Sequence, residues 1–257
     1  MTDAAPDRPR VLVCVPTYDE AENVATAVGR IRAAQPSVDV LVVDDASPDG
    51  TGAIADGLAD ADPQVFVLHR AAKAGLGAAY LAAFAWGLER GYGVLVEMDA
   101  DGSHRAVDLG GLLDAVTAGA DLALGSRWIP GGRVANWSRH RRWLSKGGNV
   151  YARALLRIPV SDATGGFRAF RADALREIDL TDVASHGYCF QVDLVRRAVQ
   201  HGLAVVEVPI VFVERELGTS KMSGGIVGEA LWRVTLWGLE ERLTRWRGRL
   251  GRAQPTL

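Results

Sequence analysis

Residues 94–104 read Val-Leu-Val-Glu-Met-Asp-Ala-Asp-Gly-Ser-His, a short apolar run that ends in two aspartates one residue apart. A run of this length, closed by a glycine, reads as a buried strand that carries Asp99 and Asp101 to the rim of a sheet. Side chains alternate along a strand, so residues 99 and 101 share a face while the chain stays extended. Gly102 ends that conformation and lets the pair converge on one ligand. Two carboxylates so placed suit a hard divalent cation, which takes oxygen ligands and can bridge them to a diphosphate. An Asp-x-Asp alone is also an ordinary solvated loop, so its surroundings decide.

Upstream, the apolar run 10–15 stops at Pro16 and reads as a buried first strand, followed by the loop Pro16-Thr17-Tyr18-Asp19-Glu20. Val24, Ala27, Val28 and Ile31 mark one face of a helix over 20–34. A second strand, 38–43, runs into the acidic turn Asp44-Asp45-Ala46-Ser47-Pro48-Asp49-Gly50-Thr51. A helix at 51–59, a strand at 64–68 and a helix at 77–89 lead to the strand at 94–98. A helix at 107–118 and a strand at 121–124, ending in Gly125-Ser126-Arg127, follow it. This alternation predicts an α/β fold with a mostly parallel sheet, helices on both faces, and ligand residues at the carboxyl ends of the strands.

Beyond that point the pattern loosens. Residues 128–138, with Pro130-Gly131-Gly132 and two tryptophans, read as a mobile loop, and 139–157 as a basic helix. A polar turn at 162–168, a helix at 190–201 and a strand at 204–213 come next. The tail from Ile226 to Arg249 has helical period, interrupted on its apolar side by Glu229 and Arg233. It reads as an amphipathic helix, lying either in a membrane interface with Trp237 and Trp246 at headgroup level or packed on the domain. No stretch reaches the roughly 18 uncharged apolar residues that cross a bilayer. The expected division is a catalytic domain over 1–225 and a basic helical tail over 226–257.

Composition narrows the function. Of the 257 residues, 48% are hydrophobic and 23% charged, an ordinary globular balance. Cys14 and Cys189 are the only cysteines, which excludes a disulfide framework and fits a reducing compartment. The first ten residues carry acids and prolines with no apolar stretch, so no signal peptide is read, and the expected location is peripheral, on the cytoplasmic face of a membrane. The net charge of −2 hides an asymmetry: residues 1–121 carry −11 and residues 122–257 carry +9. The window 122–161 holds eight bases and no acid, which suits phosphate groups or an anionic membrane surface, the alternative being a solvated cationic face. No nucleic-acid-binding motif accompanies the charge. His69, His140, His186 and His201 show no triad or metal spacing, His104 reads as a cap for the next helix, and the lack of a Cys/His cluster argues against zinc.

Taken together, the Pro-Thr-Tyr-Asp-Glu loop, the Asp-Asp-x-Ser-Pro-Asp-Gly-Thr turn, Lys73-Ala-Gly-Leu-Gly and Asp-Ala-Asp resemble the inverting glycosyltransferases of family 2, which have the Rossmann-like GT-A fold. Gly125-Ser126-Arg127, Ser161-Asp162-Ala163-Thr164-Gly165-Gly166-Phe167-Arg168, Gly187-Tyr188-Cys189-Phe190-Gln191 and Arg215-x-x-Gly218-x-Ser220-Lys221 narrow the resemblance to polyprenol (dolichol) phosphate mannose synthases. The resemblance covers roughly 10–225. It implies GDP-mannose as donor and a polyprenyl monophosphate as acceptor, with the product a β-linked mannosyl phosphate lipid. Pro16, Tyr18, Glu20, Asp44, Asp45, Lys73, Gly77 and Ala100 would line the nucleotide-sugar site. Asp99 and Asp101 would hold Mg2+ or Mn2+ and the diphosphate. Many relatives place a metal-ligating glutamine two residues beyond the second aspartate; Ser103 takes that third metal position here, where water can also serve. Arg127, Arg141, Arg142, Arg168, Arg215 and Lys221 would hold the acceptor phosphate or the leaving diphosphate, and Gln191 would lie near the sugar or acceptor. Asp99, Asp101, Arg127, Arg168 and Gln191 form the implied catalytic set. A membrane-anchoring partner protein is compatible with the absent span.

The competing readings fail on particular residues. A dehydrogenase needs Gly-x-Gly-x-x-Gly where Pro16-Thr17-Tyr18 stands. A processive polysaccharide synthase carries Gln-x-x-Arg-Trp, and Arg139 occupies the glutamine position before Arg142-Trp143. A sugar nucleotidyltransferase usually shows a glycine-rich, basic loop after strand one, which residues 15–20 do not offer. A non-catalytic membrane-docking module leaves two acidic strand ends unused. The remaining alternative is a sibling enzyme that transfers glucose or another sugar from UDP to the same lipid phosphate.

Overall fold

The structure, a computed structural model, describes residues 9–181, 183, 187–214, 228, 231–240 and 242. Its frame is a seven-stranded sheet made of β1 (Val11–Thr17), β2 (Asp39–Asp44), β3 (Val65–His69), β4 (Val94–Glu97), β5 (Leu122–Ser126), β7 (Arg168–Arg171) and β8 (Val205–Pro209). The order is β3-β2-β1-β4-β7-β5-β8. All pairings are parallel except those of β7, which lies antiparallel between β4 and β5. A second, two-stranded parallel sheet joins β6 (Arg133–Ala135) to β9 (Val211–Val213).

Strand alternation sorts the apolar residues into two layers. Leu12, Cys14, Leu41, Val43 and Leu95 face one way, toward α3 (Leu76–Glu89), α5 (Arg139–Leu156) and α7 (Gly187–Gln200). Val13, Val15, Val40, Val42 and Val96 face the other, toward α1 (Val24–Ala34), α2 (Thr51–Ala61) and α4 (Leu109–Thr117). Because both faces are covered, the strands read as nearly continuous apolar runs. Gly87 lets α3 settle onto the sheet, since a β-carbon there would come within 2.7 Å of Leu95 and 2.9 Å of Leu12. Cys14 and Cys189 are both buried free thiols.

The fold expectation holds, with three corrections. The turn at 162–168 is followed by a strand, β7, and a short helix, α6 (Ala172–Glu177), neither of which was expected. The run 204–213 is two strands in different sheets, separated at Ile210, whose N–H bonds to Ser126 O and whose carbonyl accepts from Arg133 N. Residues 128–138 are no loose loop: Trp137 is buried, edge-on to Phe212 and Trp128, and β6 pairs with β9. Two large aromatic faces removed from water anchor the segment. Of the tail, 231–240 is helical and packs on α5, with Val234 buried and the Tyr151 hydroxyl 2.7 Å from Thr235 Oγ1. No helix among the described residues is long and apolar enough to cross a membrane.

Candidate active site

The carboxyl ends of β1, β2, β4 and β5 deliver the chemistry to one rim. At the end of β2 the two aspartates part company. Asp45 pairs with Arg70 at 2.6 Å and accepts the Ala74 N–H, so it ties the turn before α3 to the sheet. Asp44 is buried; its Oδ2 accepts from Ser47 N and lies 3.9 Å from His69 Nδ1, while its Oδ1 has no hydrogen-bond partner. A buried, unsatisfied carboxylate oxygen facing a rim is a position that a ligand donor can satisfy. The loop after β1 is stapled to the turn after β2 by Asp19 N to Ser47 Oγ, Glu20 N to Thr51 Oγ1 and Ala21 N to Asp49 Oδ2. Lys73 Nζ sits 3.6 Å over the Tyr18 ring, closing the far wall. Pro16 pairs in register with Val43 beside them, and Gly77 is buried in the first turn of α3.

Past β4 the chain turns at once. Asp99 Oδ1 accepts from the Tyr80 hydroxyl at 3.2 Å, and the Asp99 N–H donates to His104 Nδ1 at 3.2 Å. His104 is buried, stacked on Phe167 and edge-on to Phe212, so it pins the loop that presents the aspartates and does not cap a helix. Asp101 Oδ1 accepts from Ser103 N, Gly102 has φ +74°, and the Ala100 methyl is buried in the core. A divalent cation fits this loop: two carboxylates lie one residue apart, and the buried Ser103 Oγ has no partner. No cluster of three His, Cys, Asp or Glu side chains suited to a metal occurs among the described residues. The protein's share of a coordination shell would therefore be Asp99, Asp101 and Ser103, completed by diphosphate oxygens and water.

Under the rim lies a buried polar layer that sequence reasoning assigned in part elsewhere. Arg168 is 0% exposed and gives Nε to Gly165 O, Nη1 to Gln191 O and Nη2 to Ala163 O, each at 2.7 Å, with Glu97 Oε2 3.9 Å away. Expected at the acceptor phosphate, it instead fastens the 163–165 turn and α7 to the sheet. Burial draws its pKa down to about 10 against the pull of Glu97 and Asp162. Burial also lifts Glu97 to about 7, opposed by the Arg168 charge and by the Gln191 amide beside it. Gln191 is buried, its amide stands beside Glu97, and its Nε2 lies against Gly166 on the side of Asp99 Oδ2.

Arg127, 6% exposed, forms a two-pronged pair with Asp162, Nε to Oδ2 at 2.7 Å and Nη2 to Oδ1 at 2.6 Å, and also reaches Thr164. Burial works to raise the Asp162 pKa, but the Arg127 charge and hydrogen bonds hold it below the ordinary carboxylate range. Asn149 of α5 donates to Asp162 and accepts the Ala163 N–H, binding that helix to the turn. Arg141 pairs with Glu214 at 2.6 Å and lies 4.2 Å over the Trp137 ring; Arg142 is exposed and donates to Val134 O. Arg215 and Lys221 lie outside the described residues. Arg127 and Arg141 line an open groove of about 530 Å³ whose remaining walls, including Leu144, Tyr151, Val192 and Val234, are mainly apolar. Thr164 and Val192 of that groove are two and one residues from Gly166 and Gln191, so the groove adjoins the aspartate loop.

The residues that sequence reasoning missed are Arg70, Tyr80, Glu97 and Asn149. Arg70 directly follows a strand, a usable signal; Tyr80 and Asn149 sit within helical patterns where nothing distinguishes them from packing residues.

A mostly parallel sheet with paired carboxylates at a strand end, a stapled pocket at β1 and β2, and a mainly apolar groove beside it define a GT-A-like sugar-transferring enzyme. The chain belongs to glycosyltransferase family 2, whose model matches residues 12–179, and it is a glycosyltransferase. It is 60% identical over 249 residues to a polyprenol monophosphomannose synthase from Mycolicibacterium smegmatis, covering 96% of this chain and 94% of that one. It is 58% identical over 242 residues to an undecaprenyl-phosphate mannosyltransferase from Micrococcus luteus, with coverage of 94% and 99%. The expected resemblance to polyprenol phosphate mannose synthases is thus borne out. Among solved structures, a mannosyltransferase from Pyrobaculum calidifontis in complex with GDP-mannose and Mn2+ shares the fold at TM-score 0.56 and 21% identity, covering 99% of this chain and 79% of that one. A glucosyl-3-phosphoglycerate synthase from Mycobacterium tuberculosis does so at 0.65 and 18%, with coverage of 91% and 79%.

Proposed function

We propose that the protein transfers mannose from GDP-mannose to a polyprenyl monophosphate with inversion, giving a β-linked mannosyl phosphoryl polyprenol. The observation that carries this reading is the groove: its walls are mainly apolar, Arg127 and Arg141 are part of its lining, and its residues Thr164 and Val192 are close in sequence to Gly166 and Gln191, which lie beside Asp99. An isoprenoid with one phosphate matches a groove of mainly apolar walls that also carries arginine side chains. The names of the relatives at 60% and 58% identity support the same acceptor class and sugar.

Tyr18, Glu20, Asp44 and Lys73 bind the nucleoside, and the Asp44 oxygen left unpaired takes a donor from base or ribose. Asp99, Asp101 and Ser103 would hold Mg2+ or Mn2+, which would offset the charge of carboxylates and diphosphate. Tyr80 and His104 keep Asp99 in place without touching substrate. The acceptor phosphate has a second pKa of about 6, so it is already an anionic nucleophile and no strong base is needed. Arg141 and Arg142, with Arg215 and Lys221, draw it in and align it opposite the leaving diphosphate, and Gln191 directs its amide toward sugar or acceptor. Arg127, braced by Asp162, fixes the floor of the groove. Displacement in line at the anomeric carbon then inverts its configuration.

The test is direct. Purified full-length chain is incubated with polyprenyl phosphate in detergent and labelled GDP-mannose or UDP-glucose, each with Mg2+, with Mn2+ and with chelator. Chelator-sensitive labelling of the lipid from GDP-mannose is the expected result; labelling from UDP-glucose instead would overturn the donor while keeping the site.

A further inference from the structure

Glu97 is a buried carboxylate at a strand position that packing alone fills with an apolar side chain. It follows Leu95 by two residues on β4, so it faces the same layer, toward α3 and α7, and it is 0% exposed. In register it stands opposite Cys14 of β1 and Arg168 of β7. Arg168 is its counter-charge, but at 3.9 Å the two are too far apart for a hydrogen bond, and the guanidinium already donates to three carbonyls. Two charges so buried cost desolvation that their attraction returns only in part, and apolar residues of similar volume often serve stability as well or better. Stability alone is a poor reason for the pair.

What the pair does hold is residue 191. Arg168 Nη1 donates to the Gln191 carbonyl at 2.7 Å, and Glu97 stands beside the Gln191 amide, so backbone and side chain of one residue are fixed by opposite members of the pair. A carboxyl group offers an oxygen acceptor whether ionised or protonated, so Glu97 can take one hydrogen of Nε2 in either state and leave the second for a ligand. The preceding Phe190 stacks on Tyr80 at 6.1 Å and 5°, and the Tyr80 hydroxyl donates to Asp99 Oδ1, which joins this part of α7 to the aspartate loop. Gly166 leaves a space between them. A β-carbon built there would lie 3.8 Å from Asp99 Oδ2 and 3.8 Å from Gln191 Nε2. Gly166 is half-buried and the Asp99 side chain 31% exposed, so the space is reached from the rim, whereas Gln191 is 3% exposed and turned into it. The next residue, Val192, lines the apolar groove.

We propose that Glu97 is a positioning residue for the sugar being transferred: with Arg168 it holds Gln191 so that the amide donates to one hydroxyl of the donor's hexose in the space beside Gly166. A carboxylate oxygen that accepts and an amide that donates, both facing one point, match a neutral hydroxyl, which gives its hydrogen to the first and takes one from the second; an ionised phosphate oxygen has no hydrogen to give Asp99. Holding that hydroxyl next to the groove sets the anomeric carbon before the acceptor phosphate. The inference deepens the reading of the protein as a transferase of mannose to a lipid phosphate, and rests on it.

The experiment measures kcat and KM of the full chain and of Glu97→Leu, Glu97→Gln and Gln191→Leu, with polyprenyl phosphate in detergent and with GDP-mannose, each of its monodeoxymannose analogues, or UDP-glucose as donor. The Kd of GDP is measured alongside. Glu97→Leu and Gln191→Leu each lower kcat with GDP-mannose by roughly ten- to hundredfold, the cost of a misplacement of about 1 Å, and leave GDP affinity unchanged because GDP carries no hexose. Combining the two leucine substitutions costs no more than either alone. The unmodified chain disfavours one deoxy donor by roughly tenfold or more, and both leucine variants lose that discrimination. Glu97→Gln keeps an oxygen acceptor and restores most of the loss. Normal kcat in Glu97→Leu reduces Glu97 to a counter-charge and overturns the proposal, as does a parallel fall in GDP affinity. An equal loss for every donor, with a raised KM for polyprenyl phosphate, assigns Gln191 to the acceptor and overturns it too. If Glu97→Leu does not fold, Glu97→Gln decides, since lost discrimination there overturns the role given to the oxygen. Transfer from UDP-glucose alone overturns the donor reading, and the same comparison with deoxyglucose donors then decides the role of Glu97; an unmodified chain that transfers neither sugar overturns both.

Discussion

Replacing Arg168 by lysine separates a strut from a ligand contact. The guanidinium makes three hydrogen bonds of 2.7 Å to the carbonyls of Ala163, Gly165 and Gln191 and lies 3.9 Å from Glu97, all out of water. Lysine keeps the charge but cannot fork to three carbonyls held at fixed directions, so two of them lose their donor. At about 1.5–3 kcal/mol for each hydrogen bond to a charged group, the loss of two is about 3–6 kcal/mol, close to the roughly 3–5 kcal/mol seen when one partner of a buried pair is removed. That is a large part of the roughly 5–15 kcal/mol that holds a typical domain, so the variant should fold but unfold at clearly lower urea concentration. Urea titration followed by circular dichroism gives the free energy, and nucleotide affinity measured below the transition reports on the rim. A normal urea midpoint in Arg168→Lys, combined with a specific loss of affinity for polyprenyl phosphate, would refute the structural role and return Arg168 to the acceptor.

Asp101→Ala should keep its fold and lose transfer by two or more orders of magnitude, because its carboxylate helps hold the cation that offsets diphosphate charge; normal turnover in that variant would remove the metal assignment. Glu97 gives a pH signature. Its pKa is raised from 4.5 to about 7 by burial, so the folded state holds a proton that the unfolded chain releases, and the stability this group contributes is fully present below about 4.5 and is lost as pH rises through 7. The fall amounts to about 3 kcal/mol at most. In Glu97→Gln the difference between urea midpoints at pH 5 and pH 8 should shrink, and an unaltered difference would assign the slope to other groups.

The strands and the acidic rim were legible because they obey local rules: period two in the apolar runs, a glycine or proline at each stop, carboxylates at strand ends. Asp99 and Asp101 needed nothing more. Arg168 was readable as important but not as internal, because one arginine code serves both a phosphate contact and a buried strut, and only the carbonyls around it decide. β7 escaped notice since Arg-Ala-Phe-Arg is four residues long with a charge at each end, and its strand character comes entirely from the neighbours that pair with it. The split at Ile210 was equally invisible, since a bend between two sheets leaves an apolar run unbroken in sequence. His104 looked like a cap because its stacking partners, Phe167 and Phe212, are remote in the chain.

The insertion of β7 between β4 and β5 also bears on how the chain is made. During synthesis, β1 to β4 can pair as soon as they emerge, since each finds its neighbour within the first hundred residues. β4 then offers an open hydrogen-bonding edge, and β5 cannot close it; only residues 168–171 do so. Until the ribosome has passed that point, an apolar strand edge leading to the aspartate loop stands ready to pair with another chain. A nascent chain stalled between 98 and 168 therefore keeps that edge open, and the strand that closes it is the one inserted last into the middle of the sheet.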